Sequence, residues 1–274
     1  MNATPLFVLD AIHAGYLGQP VLRGLSATIG PAEIVALIGP NGVGKTTLLK
    51  VLAGDLPLQA GQLTYRGKPL AAWPRGIRAQ SIAYVPPVLD LLTAMPVAEF
   101  VALGRTPYLL GGRRWQKADQ AAVEHSLQVM ALDRFRDRNV HELSEGEKHR
   151  AMMALALAQE PTVLLLDEPT AHLDIKHAWH TMEWVASWHR EMRTTVIMTT
   201  HDLNLAATFA ERLWLLADGT LRAAGPAAEV LTPDLLSHVY DYPIRVWTDA
   251  GATTRRVFPV RVKDRGQGRT SLLV

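Results

Sequence analysis

The sequence predicts an α/β protein with a mainly parallel sheet and an α-helical subdomain inserted into it. Three observations predict that class. Apolar runs of strand length alternate with helix-length segments over residues 33–53 and 162–217. A full G-x-x-x-x-G-K-[ST] segment joins the first such run to the helix after it. Between these blocks, residues 87–159 lose strand character and read as helical.

In chain order, residues 33–38 (EIVALI) are a short apolar run closed by Gly39-Pro40, as expected for a buried strand. Residues 46–53 form the following helix. A second strand is expected at 81–85, stopped by Pro86-Pro87 because proline brings no N–H to a ladder. Within the helical stretch, Val123, Leu127 and Met130 recur at i, i+4 and i+7 inside a helix over 118–132. Strand character returns at 162–167 (TVLLLD), 195–199 and 212–217. The helix between the first two of these puts Met182, Val185, Ala186 and His189 on one face. Residues from Gly225 onward read as a modest C-terminal appendage.

Composition narrows the function classes. The 274 residues are 48% hydrophobic and 20% charged, a globular balance that excludes a disordered or fibrous chain. The longest apolar run is residues 151–158, well short of the roughly 20 residues a membrane helix needs. Met1-Asn2-Ala3-Thr4-Pro5 has neither a basic start nor an apolar core, so no secretory signal is expected. With no cysteine, disulfides, thiolate chemistry and cysteine-held metals are excluded. Net charge is 28 − 26 = +2, which gives no reason to expect nucleic acid. The clusters Arg134, Arg136, Arg138 and Arg255, Arg256 are read as solvated faces. His177 and His180 lack a third ligand at a plausible spacing, and Trp179, Trp184 and Trp188 are expected to pack.

The chemistry-bearing segment is Gly39-Pro40-Asn41-Gly42-Val43-Gly44-Lys45-Thr46, placed between a strand and a helix. Its glycines let backbone N–H groups turn toward phosphate oxygens, and the helix N-terminus adds its positive end. Lys45 is expected to reach the β- and γ-phosphates and the Thr46 hydroxyl to hold Mg²⁺. The run at 163–166 delivers Asp167 to a strand's C-terminal end, where ligands sit in open α/β sheets and a carboxylate completes the oxygen set of Mg²⁺. Glu168, pointing to the other side, is placed to polarise an attacking water.

Leu143-Ser144-Glu145-Gly146-Glu147 resembles the L-S-G-G-Q signature of ATP-binding-cassette (ABC) ATPases and lies 20 residues before Val163. His201 resembles that family's switch histidine, Ala171-His172-Leu173-Asp174 its D-loop, and Tyr16 stands where an aromatic side chain stacks on adenine. Gly104-Arg105-Thr106-Pro107-Tyr108 is similar to the G-R-x-P segment of ATPases serving iron-siderophore, haem and cobalamin importers. Val239-Tyr240-Asp241-Tyr242-Pro243-Ile244 and Phe258-Pro259 resemble the same group.

The resemblance implies a P-loop ABC ATPase core with a mainly parallel sheet, an antiparallel β edge and an inserted α-helical subdomain. The RecA-like core would be residues 1–86 and 160–225, the helical signature subdomain 87–159 and the C-terminal appendage 226–274, all one domain. The implied cofactors are ATP and Mg²⁺, with Glu168 and His201 catalytic and Thr46 and Asp167 on the metal. Tyr16, Gly39 to Thr47 (including Val43 and Thr47), and Ser144, Gly146 and Glu147 would bind nucleotide. In this family two copies pair head to tail, so the signature of one closes on the ATP of the other. Ser144-x-x-Glu147 is itself a capping-box pattern, which puts the signature at a helix N-terminus.

The sequence also departs from the family pattern. Glu145 replaces a glycine and Glu147 a glutamine, Ala171 a serine, and Leu155 stands where arginine is common. Pro87 replaces the glutamine that senses Mg²⁺ and the attacking water. The expected function is the ATP-hydrolysing subunit of an importer of an iron-siderophore, haem or similar chelate, at the cytoplasmic face of the inner membrane. Its expected partners are a second copy, two membrane-spanning permease subunits docking around residues 87–108 and, indirectly, a periplasmic binding protein. The alternatives are a soluble ABC ATPase acting on nucleic acid or ribosomes, and a hydrolysis-weakened structural subunit.

Overall fold

A computed structural model describes residues 4–87, 94–110, 112–171, 173–248 and 255–260. The chain begins with a hairpin, β1 (Phe7–Tyr16) and β2 (Gln19–Ile29), followed by β3 (Ile34–Ile38) and α1 (Lys45–Ala53). β4 (Ala60–Tyr65), β5 (Lys68–Pro69), α2 (Arg75–Ser81) and β6 (Ile82–Val85) lead to the helical stretch. That stretch holds α3 (Val97–Ala102), α4 (Thr106–Leu109), α5 (Lys117–Val129) and α6 (Glu145–Ala158). The core resumes with β7 (Val163–Leu166), α7 (Ile175–Met192), β8 (Thr195–Thr199), α8 (Leu203–Phe209), β9 (Arg212–Ala217) and β10 (Thr220–Gly225). α9 (Ala227–Val230), α10 (Pro233–Tyr240) and the hairpin β11 (Ile244–Thr248) and β12 (Arg255–Pro259) follow.

The central sheet runs β10-β9-β3-β8-β7-β6, parallel except for the antiparallel edge strand β10. A four-stranded antiparallel sheet, β2-β1-β4-β5, lies beside it. β3, β7 and β8 are buried at every position, which is why they read as unbroken apolar runs rather than alternating ones. The sheet separates two cores. Ile34, Ala36 and Ile38 face the layer of α3, α5, α6 and α7, whereas Val35 and Leu37 face α1 and the antiparallel sheet.

Two sequence expectations shift. α7 buries Thr181, Met182, Val185 and Trp188; Ala186 and His189, expected on that face, are only half-buried. The large Trp188 ring, 1% exposed, supplies the apolar area on the buried face, and His189 places Nδ1 2.8 Å from the Thr194 carbonyl at the helix end. Residues 226–260 contribute Val230, Leu231, Leu236 and Val257 to the same buried cluster as the central sheet. Arg134, Arg138 and Arg256 are exposed, as read from the sequence, and Arg136 and Arg255 are half-buried. Arg136 grips Glu124 with both nitrogens, and Arg134 and Arg138 lie over the Phe135 ring. Of the 226–274 segment, residues 249–254 and 261–274 lie outside the described residues.

Candidate active site

The phosphate loop leaves the C-terminal end of β3 and turns directly into α1. Gly39 sits at φ 141°, and a Cβ there would come within 2.2 Å of the Leu216 carbonyl oxygen. Gly42 sits at φ 77° with open space where a side chain would project. Only glycine takes such angles without strain. Gly44 caps α1 with no side chain, so the first N–H groups of the helix keep their capacity for an anion. Pro40, Asn41 and Val43 complete the curve.

Lys45 is 6% exposed, and its ammonium donates to the Gly39 and Pro40 carbonyls at 2.8 and 2.9 Å. Burial pushes its pKa below the ordinary lysine value, while the Glu168 and Asp167 carboxylates pull the other way. Thr46 turns its hydroxyl to Asp167 Oδ1 at 3.1 Å. Thr47 is buried on α1. Tyr16, at the end of β1, is 44% exposed, with the Lys50 ammonium of α1 5.8 Å from its ring centre. The structure therefore brings Tyr16 beside the phosphate-loop helix.

Asp167 is 1% exposed at the end of β7 and receives three hydroxyls. Thr46 and Thr199 donate to Oδ1, the latter at 2.7 Å, and Tyr84 donates to Oδ2 at 3.1 Å. Burial, then the Asp167 charge, pushes the Tyr84 phenol well above its ordinary range, so it stays protonated and donates. The Thr199 hydroxyl also accepts the Glu168 N–H at 2.8 Å. Glu168 holds a left-handed backbone, φ 51°, an arrangement that costs a non-glycine residue energy and clusters at functional sites. Its Oε1 meets His201 Nε2 at 2.5 Å. Asp167 and Glu168 thus diverge as expected, one to the loop and one to His201.

The Glu168–His201 pair borders a cavity of about 240 Å³ reaching under α7 to Trp179. A larger groove, about 540 Å³, lies behind α1 against β4 and contains none of these residues. The smaller cavity takes in Glu168 and His201, while Lys45, Thr46 and Asp167 line neither of the two. The oxygen donors of Thr46 and Asp167, 3.1 Å apart, suit a hard divalent cation such as Mg²⁺. Among the described residues no cluster of three histidine or acidic side chains forms a separate metal site. His177 meets Asp174 at 2.8 Å, and His180 lies against Trp184.

The signature opens α6. Ser144 Oγ accepts the Glu147 N–H at 3.4 Å, and Glu147 Oε2 accepts the Ser144 N–H at 2.9 Å. Burial alone would raise the Glu147 carboxyl, but the Ser144 N–H and hydroxyl, then Arg150 and Arg138, hold it below its usual value. Glu145 is 85% exposed and pairs with Lys148 at 2.9 Å, so the extra carboxylate faces solvent with a counter-ion. A Cβ on Gly146 would meet nothing within 4 Å. Pro87 is exposed just past β6. His172 of the D-loop lies outside the described residues, as do residues 88–93 of the expected docking segment.

Sequence reasoning missed Tyr84 and Thr199, both near the C-terminal ends of parallel strands, the one signal available for them. It also missed how the Gly104–Tyr108 segment is built. Arg105, 3% exposed, pairs with the fully buried Asp119 at 3.0 Å and with Glu160 at 2.7 Å. Its guanidinium lies 3.9 Å from the Tyr108 ring centre. Gly104 packs so closely that a Cβ would sit 2.2 Å from the Leu155 carbonyl oxygen.

The ABC transporter family model matches residues 22–171, which include the phosphate loop, the signature and the Asp167–Glu168 pair. The chain belongs to the ABC transporter family. Among ABC ATPases, it is 38% identical over 253 residues to the hemin import ATP-binding protein HmuV of Streptomyces coelicolor, covering 91% of this chain and 88% of that one. It is 34% identical to a siderophore transport system ATP-binding protein, YusV of Bacillus subtilis, covering 88% and 87% of the two chains. A metal-chelate type ABC transporter in an inward-facing conformation matches the ABC fold with a TM-score of 0.81 at 23% identity, over 94% of this chain and 98% of that one. A dimeric ATP-binding cassette bound to ADP and phosphate matches with a TM-score of 0.71 at 25% identity, over 81% and 98%. The mixed α/β ABC ATPase fold expected from the sequence is the fold found.

Proposed function

We propose that this chain is the ATP-binding and ATP-hydrolysing subunit of an ABC importer that takes up an iron-siderophore, haem or a similar metal chelate. The observation that carries this reading is the pairing of a buried Asp167, bonded to Thr46 of the phosphate loop, with a Glu168 held against His201. Relatives named for hemin and siderophore import support the cargo class. Lys45 and the loop N–H groups bind the phosphates. Thr46 and Asp167 hold magnesium, which supplies charge neutralisation at the phosphates when bound. Glu168 orients water and takes its proton, while His201 fixes the carboxylate and faces the γ-phosphate. Tyr16 supports the adenine.

Ser144, Gly146 and Glu147 act on a second copy, whose phosphate meets the N-terminus of α6 in a head-to-tail dimer. No described helix is long and apolar enough to cross a membrane. Two permease subunits supply the pathway, a periplasmic binding protein delivers the chelate, and this subunit sits peripherally at the cytoplasmic face of the inner membrane. Pro87 favours one second reading, a subunit that binds ATP but turns it over slowly.

The test is uptake. A host strain lacking this chain should fail to accumulate labelled haem or ferric siderophore, and only wild type, not Lys45→Ala, should restore it. Full uptake of both chelates in the deletion strain would sink the importer reading.

A further inference from the structure

We infer that Tyr84 is a positioning residue for ATP hydrolysis, its hydroxyl holding the Asp167 carboxylate in the orientation that takes up magnesium. The inference rests on the magnesium reading of Asp167 and adds a residue to which that reading gives no part.

A carboxylate turns about its Cβ–Cγ bond unless donors hold both oxygens. In Asp167, Oδ1 takes Thr46 and Thr199, and Oδ2 takes Tyr84. With the side chain 1% exposed, water does not readily replace a lost donor. Thr46 gives its proton to Asp167, which leaves the lone pairs of its oxygen for a cation. That division of labour works only while the carboxylate keeps its angle.

Tyr84 is well placed to keep it. It lies on β6, opposite Leu165 of β7, and the Asp167 N–H donates to the Val85 carbonyl at 2.9 Å. β6, an edge strand of the central sheet, therefore grips Asp167 through backbone and side chain together. Beyond β6 the chain continues into Pro86-Pro87, and neither residue carries a polar side chain. In this protein the polar contribution of β6 to the metal carboxylate comes through Tyr84.

Tyr84→Phe removes one hydroxyl and keeps the ring. We expect the Mg²⁺ concentration giving half-maximal turnover to rise about tenfold, and kcat to fall by about tenfold, the loss of one hydrogen bond to a charged group. EPR titration with Mn²⁺ in the presence of a non-hydrolysable ATP analogue should give the same weakening without turnover. Binding of a fluorescent ATP analogue in EDTA should stay within about twofold of wild type, because no metal orientation is involved. An unchanged Mg²⁺ half-saturation, or an equal loss of affinity in EDTA, would overturn the inference. Asp167→Asn in the same titrations separates the two claims. If Asp167→Asn leaves metal dependence unchanged, the magnesium reading fails; if it abolishes metal binding while Tyr84→Phe changes nothing, only the tyrosine inference fails.

Discussion

Glu168 and Pro87 are the two residues whose local geometry bears most directly on turnover. Glu168 combines a left-handed backbone with a 2.5 Å contact to His201, a conformation retained where the surroundings over-determine it. In the roles proposed above, Glu168 is a water-orienting base that contributes in the transition state, whereas Lys45 also holds ground-state phosphate. Glu168→Gln should therefore cut kcat by about 100-fold or more and leave ATP affinity near wild type, read from phosphate release and equilibrium binding. Parental turnover in that variant would remove Glu168 from its role. Pro87, exposed just past β6, offers neither side-chain polarity nor an N–H. Pro87→Gln should raise turnover at saturating ATP by about tenfold, the value of one contact to a charging group, with little change in affinity. No gain in rate, with the membrane partners present, would mean that another group already serves. At this scale the phosphate loop and the Asp167–Glu168 pair were legible in the sequence, because one strand end runs into a helix start and another apolar run ends in two carboxylates, whereas His201 was legible only through its resemblance to the family's switch histidine. Tyr84 and Thr199 were not. A tyrosine or threonine in a β-strand is ordinary for strand propensity, and nothing local marks its hydroxyl as bound to a carboxylate 83 or 32 residues away.

Legibility followed burial among the elements. β3, β7 and β8 announced themselves as apolar runs because both faces are covered. β1 and β2 were hidden, since register shifts between Leu9 and Ile12 and between Ala14 and Gly15 break the two-residue alternation a reader would look for. The junction of α4, α5 and α6 was equally hidden, because its glue is a buried ion network spanning distant positions. Arg105 and Arg113 meet Asp119 Oδ1 at 3.0 and 2.6 Å, and Arg105 continues to the Ala158 carbonyl at 2.8 Å. Burial alone would raise the Asp119 carboxyl; Arg113, the Gln116 N–H and Arg105 more than offset it and leave it below its ordinary value. A lowered folded-state pKa stabilises above the unfolded value, about 3.9, and that contribution is lost as pH falls through the folded value. Asp119→Asn should accordingly cost about 1.5–3 kcal/mol at neutral pH, with the gap to wild type closing below about pH 4. Urea melts across that range give the answer directly. A gap independent of pH would mean that packing, not charge, is what Asp119 contributes.

For the whole molecule, the decisive feature is that one chain carries the phosphate loop and the signature as separate surfaces. The polar contacts of Ser144 and Glu147 stay within their own turn, while Lys45, Thr46 and Asp167 form a closed set elsewhere. The head-to-tail pair proposed above would complete two sites, each with the loop of one copy and the signature of the other. Two inactive variants then become informative together. Lys45→Ala disables the loop and leaves the signature intact. Gly146→Asp does the reverse: a Cβ there would meet nothing within 4 Å, so the fold should accept the substitution, and the added charge would oppose the phosphate of the partner copy in the proposed dimer. Mixed in equal amounts, the variants form mixed dimers in about half of cases, each with one intact site, so about a quarter of all sites are whole. Each variant alone should be inactive, and the mixture should recover up to about a quarter of wild-type hydrolysis if a single whole site suffices. Recovery should fall as the mixture is diluted, because mixed dimers form by mass action. If each site were built within one chain, mixing would restore nothing at any concentration, and the head-to-tail arrangement would have to be abandoned.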